Sequence, residues 1–234
     1  MLKAVIFDID GTLISSVDLH AQSWKEALAH FGVQAEFEDL RRRIGEGADH
    51  LMPAFLPPAT PPSVQKRIEE FRSNLFKRGY LPKVRPFPGV RELFEQIHAD
   101  GCKIVLASSC AASEIGEYKA IAGISDMTDC DVTADDADSS KPAPDIFLTA
   151  LERISPISAS ETCVVGDTKY DGEGARRAGI PFVGVVCGGS TRQELERSGA
   201  IAVYRDPSDL LKNWSRWRDL STKGSWSRGE LEHR

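Results

Sequence analysis

The chain has 234 residues, 41% of them hydrophobic, and a formal net charge of −6. That length suits one large domain or one domain with an insert. The acidic balance argues against a general nucleic-acid binder, and no apolar run approaches the roughly 18 residues that a membrane span needs. The five cysteines are widely spaced, which predicts core thiols rather than zinc ligands or disulfides. With a strand predicted almost at residue 1, we expect no signal peptide and a cytoplasmic location.

Short apolar runs rich in β-branched residues predict buried strands. They cover residues 3–7, 103–107, roughly 127–132, 162–165, 182–186 and 201–204. Helical stretches alternate with them at 90–98, 113–122, 144–153 and 171–178. Alternating strands and helices predict an α/β fold with a doubly wound, Rossmann-like parallel sheet.

The segment 15–84 breaks this alternation, because its apolar spacing fits helices only. Ser15–Asp18 resembles a capping box before a helix of about 17–31, and further helices are expected at 36–44, 49–55 and 63–78. We therefore predict a helical cap domain of residues 16–84 inserted into a core of 1–15 and 85–213, with hinges near 14–16 and 83–88. A polar tail of 214–234 is expected to be poorly ordered, with Trp214, Trp217 and Trp226 able to dock part of it.

Polar residues follow each predicted strand, and the carboxyl ends of parallel strands meet at one edge of a sheet, where ligands bind. Most of these residues have an ordinary alternative role as helix caps or as a surface lysine. The adjacent pair of aspartates after the first strand is harder to explain, since two carboxylates at a buried strand end are costly without a cation. The residues in question are Asp8, Asp10, Ser108, Ser109, Lys141, Asp167 and Asp171.

The carboxylates at this edge favour a hard divalent cation. Asp8, Asp10 and Asp167 supply the few oxygen ligands with which Mg²⁺ is usually held, with waters completing the octahedron. A phosphate dianion is a suitable substrate group beside such an ion. Its charge would be offset by Mg²⁺ and Lys141, while Ser108 and loop N–H groups donate hydrogen bonds.

Four motifs in this order resemble those of the haloacid dehalogenase superfamily. DIDGTL at 8–13 matches its DxDGT signature, and Ser108 stands at its second motif. Lys141 in KPAPDIF matches the third motif, and GDTKYD at 166–171 matches the fourth. The helical insert between the first two motifs resembles the small α-helical cap of this family.

The resemblance implies a role for each acidic residue. Asp8 would be the nucleophile that forms an aspartyl-phosphate. Asp10 would be the general acid and then the general base, with a raised pKa, and its backbone carbonyl would bind the metal. Asp8 and Asp167 would supply the metal carboxylates, while Asp171 would orient a metal-bound water.

The resemblance also implies how the phosphoryl group is held. Ser108 and Lys141 would bind the phosphoryl oxygens, with Ser109 beside them. Thr12 would support the first-motif loop next to the substrate.

Three features bear on the branch of the family. Dehalogenases lack an acid at the position of Asp10, so its presence favours phosphoryl transfer. Residues 19–25 (LHAQSWK) resemble β-phosphoglucomutase and related sugar phosphatases. This resemblance implies that His20 couples cap closure to proton transfer. The alternative is that His20 is an ordinary exposed helix residue. Mutases of that type carry a Glu-Asp pair in motif four, whereas this chain has Gly166-Asp167, which resembles phosphoglycolate-phosphatase-like proteins.

Specificity should reside in the cap, which closes over the site. The segment 41–49 (RRRIGEGAD) is the predicted reading loop, with Arg43 and Gly45 next to the substrate; a plain turn with solvated arginines is the alternative. We therefore predict a Mg²⁺-dependent phosphatase of a small phosphorylated metabolite, a sugar phosphate or a phosphoglycolate-like compound, with no nucleic-acid, membrane or protein partner. A phosphosugar mutase and a catalytically idle binding protein remain the alternatives.

Overall fold

The computed structural model describes residues 1–220 and shows one six-stranded parallel sheet. The strand order is β3-β2-β1-β4-β5-β6, so the first strand lies in the middle. This confirms the predicted α/β class. The strands are β1 Ala4–Phe7, β2 Lys103–Ala107, β3 Cys130–Val132, β4 Thr162–Gly166, β5 Phe182–Val185 and β6 Ala200–Tyr204.

Eleven α-helices are present within residues 1–220, and most connect the strands or form the insert. The predicted bounds of the long helices hold to within about two residues. They are α1 Val17–His30, α2 Phe37–Arg41, α3 Ala48–Leu51, α4 Pro62–Gly79, α5 Val90–Ala99, α6 Ala112–Ala122, α7 Asp145–Arg153, α8 Lys169–Arg177, α9 Arg192–Arg197, α10 Pro207–Lys212 and α11 Trp214–Leu220.

Strand β1 is buried on both faces, which explains its uninterrupted apolar sequence. Val5 and Phe7 belong to one hydrophobic cluster, and Ala4 and Ile6 belong to another on the opposite face. β1 pairs with β2 on one side and β4 on the other, so Asp8, which follows β1, lies in the middle of the carboxyl edge.

The insert forms its own helical cluster. The α1 face that carries Ala21, Trp24 and Leu28 packs with residues of α2, α3 and α4, as the predicted spacing requires. The predicted helix 49–55 is split into α3 and a 3₁₀ turn, Met52–Ala54, because Pro53 cannot continue the α-helical hydrogen bonds. Helix α2 is shorter than predicted and ends at Arg41.

The capping box predicted before α1 does not form. Ser16 is the N-cap residue, but its side chain makes no cap hydrogen bond. Its hydroxyl instead donates to the Asp10 carboxylate. Ser16 therefore orients a residue of the first motif rather than the helix that it begins.

The two chain crossings between core and insert lie side by side. The Ser15 N–H donates to the Arg85 carbonyl at 2.8 Å, and the Phe87 N–H donates to the Leu13 carbonyl at 2.9 Å. The crossings therefore form a short antiparallel ribbon at the start and end of the predicted insert.

The start of the predicted polar tail is a helix instead. Within α11, Trp214 and Trp217 are buried in the same hydrophobic cluster as β1. The Trp214 indole N–H donates to the Asp100 carboxylate, which anchors the helix on α5. Two aromatic side chains of this size bury enough apolar surface to order an otherwise polar segment. Trp226 lies outside the described residues.

Among residues 1–220, no helix combines the length and apolar character needed to cross a membrane.

Candidate functional site

Three carboxylates and one lysine converge at the carboxyl edge of the sheet. The Lys141 Nζ lies 2.6 Å from an Asp8 oxygen and 2.8 Å from an Asp171 oxygen, and it also donates to the Ala107 carbonyl at 3.0 Å. One carboxylate oxygen from each of Asp8, Asp167 and Asp171 falls within 4.8 Å of the others. Side chains from three separate segments thus meet at one point, next to the carbonyl that ends β2.

Thr12 joins two of these carboxylates. Its fully buried hydroxyl lies 3.3 Å from Asp8 Oδ2 and 3.1 Å from Asp167 Oδ1. A hydroxyl has one proton to donate, so it cannot satisfy both carboxylates at the same time. Thr12 therefore holds the two side chains together and leaves negative charge uncompensated.

The Asp167 carboxylate lies against the backbone of two glycines. Gly11 has φ +81°, and a Cβ there would lie 2.4 Å from Asp167 Oδ2. A Cβ on Gly188, in the loop after β5, would lie 1.7 Å from the same atom. Both positions exclude a side chain because the backbone approaches the carboxylate so closely.

The electrostatics of the cluster fit a divalent cation. Burial raises the pKa of Asp8 to about 7, although Lys141 opposes the shift, and the Asp171 and Asp10 charges raise it further. Burial and the Asp8 and Asp171 charges raise the pKa of Asp167 well above its ordinary value. When all three buried carboxylates are ionised they face one ammonium with a net charge of −2, which a divalent cation would neutralise. The all-oxygen donor set suits a hard ion such as Mg²⁺.

Asp171 serves both the cluster and its helix. One carboxylate oxygen accepts from the Thr168 hydroxyl at 2.6 Å and from the Thr168 N–H at 3.1 Å, which forms a capping box at the start of α8. The other oxygen faces Lys141. Asp171 is thus a capping residue of α8, as the alternative interpretation suggested, and it also lies in the carboxylate cluster.

Asp10 faces away from the carboxylate cluster and toward the insert. His20 Nε2 lies 2.9 Å from Asp10 Oδ1, which also accepts from Ser16. On its other side, His20 Nδ1 contacts the Arg72 guanidinium. Because arginine only donates, Nδ1 must accept, and Nε2 therefore carries the proton that it shares with Asp10.

These neighbours shift the pKa of Asp10 in the direction opposite to the one predicted. Burial favours the neutral acid, but the electrostatic interaction and hydrogen bond with His20, the Ser16 hydrogen bond and the Arg72 charge outweigh it and lower the pKa of Asp10. Burial also lowers the pKa of His20, and the Arg72 charge adds to that effect, so the ring is neutral. From the sequence we expect Asp8 and the surroundings of Asp10 to raise this pKa, whereas His20, Ser16 and Arg72 act in the opposite direction in the site without substrate.

His20 is a buried residue, not an exposed helix residue. Its side chain is 7% exposed, and its ring stacks on Phe76 of α4 with centroids 4.0 Å apart and planes at 7°. Trp24 and Phe76 also lie under the Arg72 guanidinium, each at 5.2 Å. Helices α1 and α4 therefore hold the imidazole rigidly against the sheet edge.

A cavity of about 300 Å³ opens beside Asp8 and Asp10, between core and insert. Ser109 lines it, as do Arg43 and Gly45 of the predicted reading loop. Ser108 is fully buried below it, where its hydroxyl accepts from the Cys110 N–H at 3.2 Å. The remaining walls come from helices α1, α3, α4 and α6 and the loops beside them: His20, Trp24, Ile44, Gly47, Ala48, Leu51, Lys66, Glu69, Glu70, Arg72, Ser73, Cys110, Ala111, Glu114 and Tyr118.

Sequence analysis missed Arg72 and Gly188. Arg72 is one of several cations on an amphipathic helix, and only the packing of α4 against α1 shows that it reaches His20. Gly188 belongs to a Gly-Gly pair directly after a predicted strand, a signal of close backbone approach that could have pointed to it.

The fold and site together define the class of protein: a Rossmann-like hydrolase with a helical insert over an acidic site at the sheet edge. The chain belongs to the haloacid dehalogenase-like hydrolase family, whose model matches residues 5–185. The predicted membership in this family, in its phosphatase branch, is confirmed by that match and by relatives named as phosphatases.

Similar proteins cover nearly the whole chain. The phosphorylated carbohydrates phosphatase of Thermotoga maritima is 30% identical over 90% of this chain and 97% of its own length. The phosphoglycolate phosphatase of Yersinia pestis is 30% identical over 90% of this chain and 92% of its own.

The solved structure of a hydrolase from Pseudomonas syringae has a TM-score of 0.82 at 30% identity, over 92% of this chain and 98% of its own. A β-phosphoglucomutase from Clostridium difficile has a TM-score of 0.84 at 18% identity, over 96% of this chain and 100% of its own, and shares the fold.

Proposed function

We propose that the protein is a Mg²⁺-dependent phosphatase that hydrolyses a small phosphorylated metabolite through an aspartyl-phosphate on Asp8. The observation that carries this proposal is the placement of Asp8. It contacts Lys141, shares Thr12 with Asp167, and lines the cavity together with Asp10. Relatives named as phosphatases of phosphorylated carbohydrates, phosphoglycolate and fructose 1-phosphate support a small substrate.

In the first half-reaction, an Asp8 oxygen attacks phosphorus while the bond to the leaving oxygen breaks. Asp10 gives a proton to that oxygen. The free carboxyl of Asp10 is ionised at neutral pH, but the negative charge of a bound phosphoryl group raises its pKa. The neighbouring His20 Nε2–H holds the carboxyl group in place for this transfer.

In the second half-reaction, water attacks the aspartyl-phosphate, and Asp10 accepts its proton. The P–O bond to Asp8 breaks, which restores the carboxylate and releases phosphate. Lys141 offsets charge on Asp8 and on the phosphoryl oxygens throughout, and Ser108 and Ser109 provide hydrogen bonds at the end of β2.

Asp8, Asp167 and the Asp10 backbone carbonyl would hold the ion, with Asp171 beside them. When bound, Mg²⁺ neutralises the cluster and polarises the phosphoryl oxygens. The charge imbalance of the cluster supports this assignment.

The test is phosphate release from an aryl phosphate with and without Mg²⁺, with Asp8→Asn as the control variant. We expect Mg²⁺-dependent release by the wild type and a loss of at least about 10³-fold in the variant, since the nucleophile is removed. Equal activity of both proteins would rule out Asp8 as the nucleophile.

A further inference from the structure

The charges around the cavity suggest what kind of leaving group it accepts. Besides Asp8 and Asp10, the acidic residues Glu69, Glu70 and Glu114 line it. Three cationic side chains also line it, namely Arg43, Lys66 and Arg72. A leaving group that carries a carboxylate needs one of these cations available to it, whereas a neutral polyol needs only hydrogen-bond partners.

Arg43 is already paired. Its Nη1 lies 2.8 Å from a carboxylate oxygen of Glu46, and the Glu46 side chain is only 7% exposed. Tyr170 of α8 secures this part of the loop, because its hydroxyl donates to the Arg42 carbonyl at 3.4 Å. Glu46 and Tyr170 line the same surface recess, next to Arg43. Glu46 is therefore held between the core and the arginine that it neutralises.

The other two cations are engaged as well. Arg72 contacts His20 Nδ1 and donates to the Ser23 hydroxyl at 3.3 Å. The Lys66 ammonium lies 4.0 Å from Glu70 at the exposed rim of the cavity. On the core side, Glu114 pairs with Lys77 of α4 at 3.4 Å and accepts from Ser73 at 3.2 Å. Arg43 and Lys66 thus each face a carboxylate, Arg72 is held by the His20 ring and the Ser23 hydroxyl, and the acidic side chains provide hydrogen-bond acceptors for hydroxyl groups.

We propose that Glu46 is a specificity-determining residue that neutralises Arg43 and so selects a neutral, hydroxyl-bearing leaving group, such as a sugar, over a carboxylate-bearing one. This inference rests on the proposed phosphatase function and narrows its substrate class. Glu46 is a positioning residue, since it acts on the substrate through Arg43. Removing its charge leaves Arg43 free to attract an anionic leaving group.

The experiment compares kcat/KM for fructose 1-phosphate and for phosphoglycolate in the wild type and in Glu46→Gln. The glutamine keeps the size and a hydrogen-bond acceptor, so the loop retains its packing. We expect the wild type to prefer the sugar phosphate, and the ratio of phosphoglycolate to sugar activity to rise about tenfold in Glu46→Gln, as expected for one uncompensated charge near the substrate. The double variant Glu46→Gln/Arg43→Gln should return the ratio to within about twofold of the wild type.

Glu38→Gln is the matched control, because it removes an exposed acidic charge from helix α2 of the insert. It should leave the ratio unchanged. If the wild type cleaves an aryl phosphate but prefers phosphoglycolate, or cleaves neither metabolite, this inference is overturned and the proposed phosphatase function is not. The inference is also overturned if the ratio of phosphoglycolate to sugar activity is unchanged in Glu46→Gln, or if its rise persists in the double variant. A wild type inactive on all three substrates with Mg²⁺ overturns the proposed function and this inference with it.

Discussion

His20 Nε2 donates to Asp10 at 2.9 Å, and this contact joins the insert to the sheet edge. The proton position follows from Arg72, which occupies Nδ1. A residue of the insert thereby determines which ring nitrogen carries the proton that faces Asp10. The proposed acid–base function of Asp10 therefore depends on how helices α1 and α4 pack.

Replacing Arg72 with glutamine should lower kcat by about 10- to 100-fold with a smaller change in KM, because the His20 tautomer and orientation are no longer held. Steady-state kinetics on an aryl phosphate measure this. Arg78→Gln, at an exposed position of the same helix, serves as the control and should retain full kcat. A KM effect without a kcat effect in Arg72→Gln would place Arg72 in substrate binding instead.

Lys141→Met should lower the free energy of unfolding by about 3–5 kcal/mol, because it leaves two buried carboxylates without their shared cation. Asp171 and Asp8 together raise the pKa of Lys141 against the effect of burial, which shows how firmly they hold its charge. Urea denaturation in the absence of Mg²⁺ measures the loss. Lys212→Met, at an exposed site, should change the value by less than about 0.5 kcal/mol. A comparably small loss in Lys141→Met would contradict the argument.

Gly188→Ala should weaken Mg²⁺ binding by about 10- to 100-fold, because the added methyl group displaces the Asp167 carboxylate. Calorimetric titration with Mg²⁺ measures the affinity. In the control Gly116→Ala, the new methyl group enters open space on α6. Unchanged affinity in Gly188→Ala would mean that Asp167 does not bind the ion from its present position.

Saturating Mg²⁺ should raise Tm, because the ion binds the folded carboxylate cluster and not the unfolded chain. At 100 times Kd the gain in the free energy of unfolding is about 2.7 kcal/mol. Thermal melts with EDTA and with Mg²⁺ measure the shift. Asp167→Asn should remove most of it, whereas Asp138→Asn, at an exposed position, should keep it. A Tm that does not respond to Mg²⁺ would contradict the proposed metal site.

Trp217→Ala should lower the free energy of unfolding by about 3–5 kcal/mol, since a fully buried indole is removed from the main hydrophobic cluster. Denaturation monitored by circular dichroism measures this change. Arg216→Ala, on the exposed side of α11, is the control and should have little effect. Equal stability of the two variants would show that α11 does not contribute to the fold.

The sheet and its carboxyl edge could be predicted from sequence because their signals are local. Each strand is a short apolar run, and parallel pairing brings the residues that follow the strands together. Asp8, Lys141 and Asp167 were found in this way. The tail was expected to be poorly ordered because its composition is polar; Trp214 and Trp217 were named as residues able to dock it, but the helix α11 that carries them was not predicted.

The properties that sequence could not supply are those set by long-range partners. The lowered pKa of Asp10 depends on Ser16, His20 and Arg72, and Arg72 lies 52 residues after His20. The pairing of Arg43 with a buried Glu46 depends on the shape of the loop after α2. The motifs therefore identify the reacting groups. The packing around these groups determines their protonation and the net charge of the surface that contacts the substrate.

The paired crossings at Ser15–Arg85 and Leu13–Phe87 give the helical insert adjacent ends. A segment whose two ends are neighbours can be exchanged for another of different length without disturbing the strand order beneath it. Transplanting residues 16–84 between homologues would therefore exchange leaving-group recognition together with the His20 and Arg72 contacts that hold Asp10, while Asp8, Lys141 and Asp167 remain on the sheet edge. A graft that keeps these two residues is a practical route to redesigning selectivity.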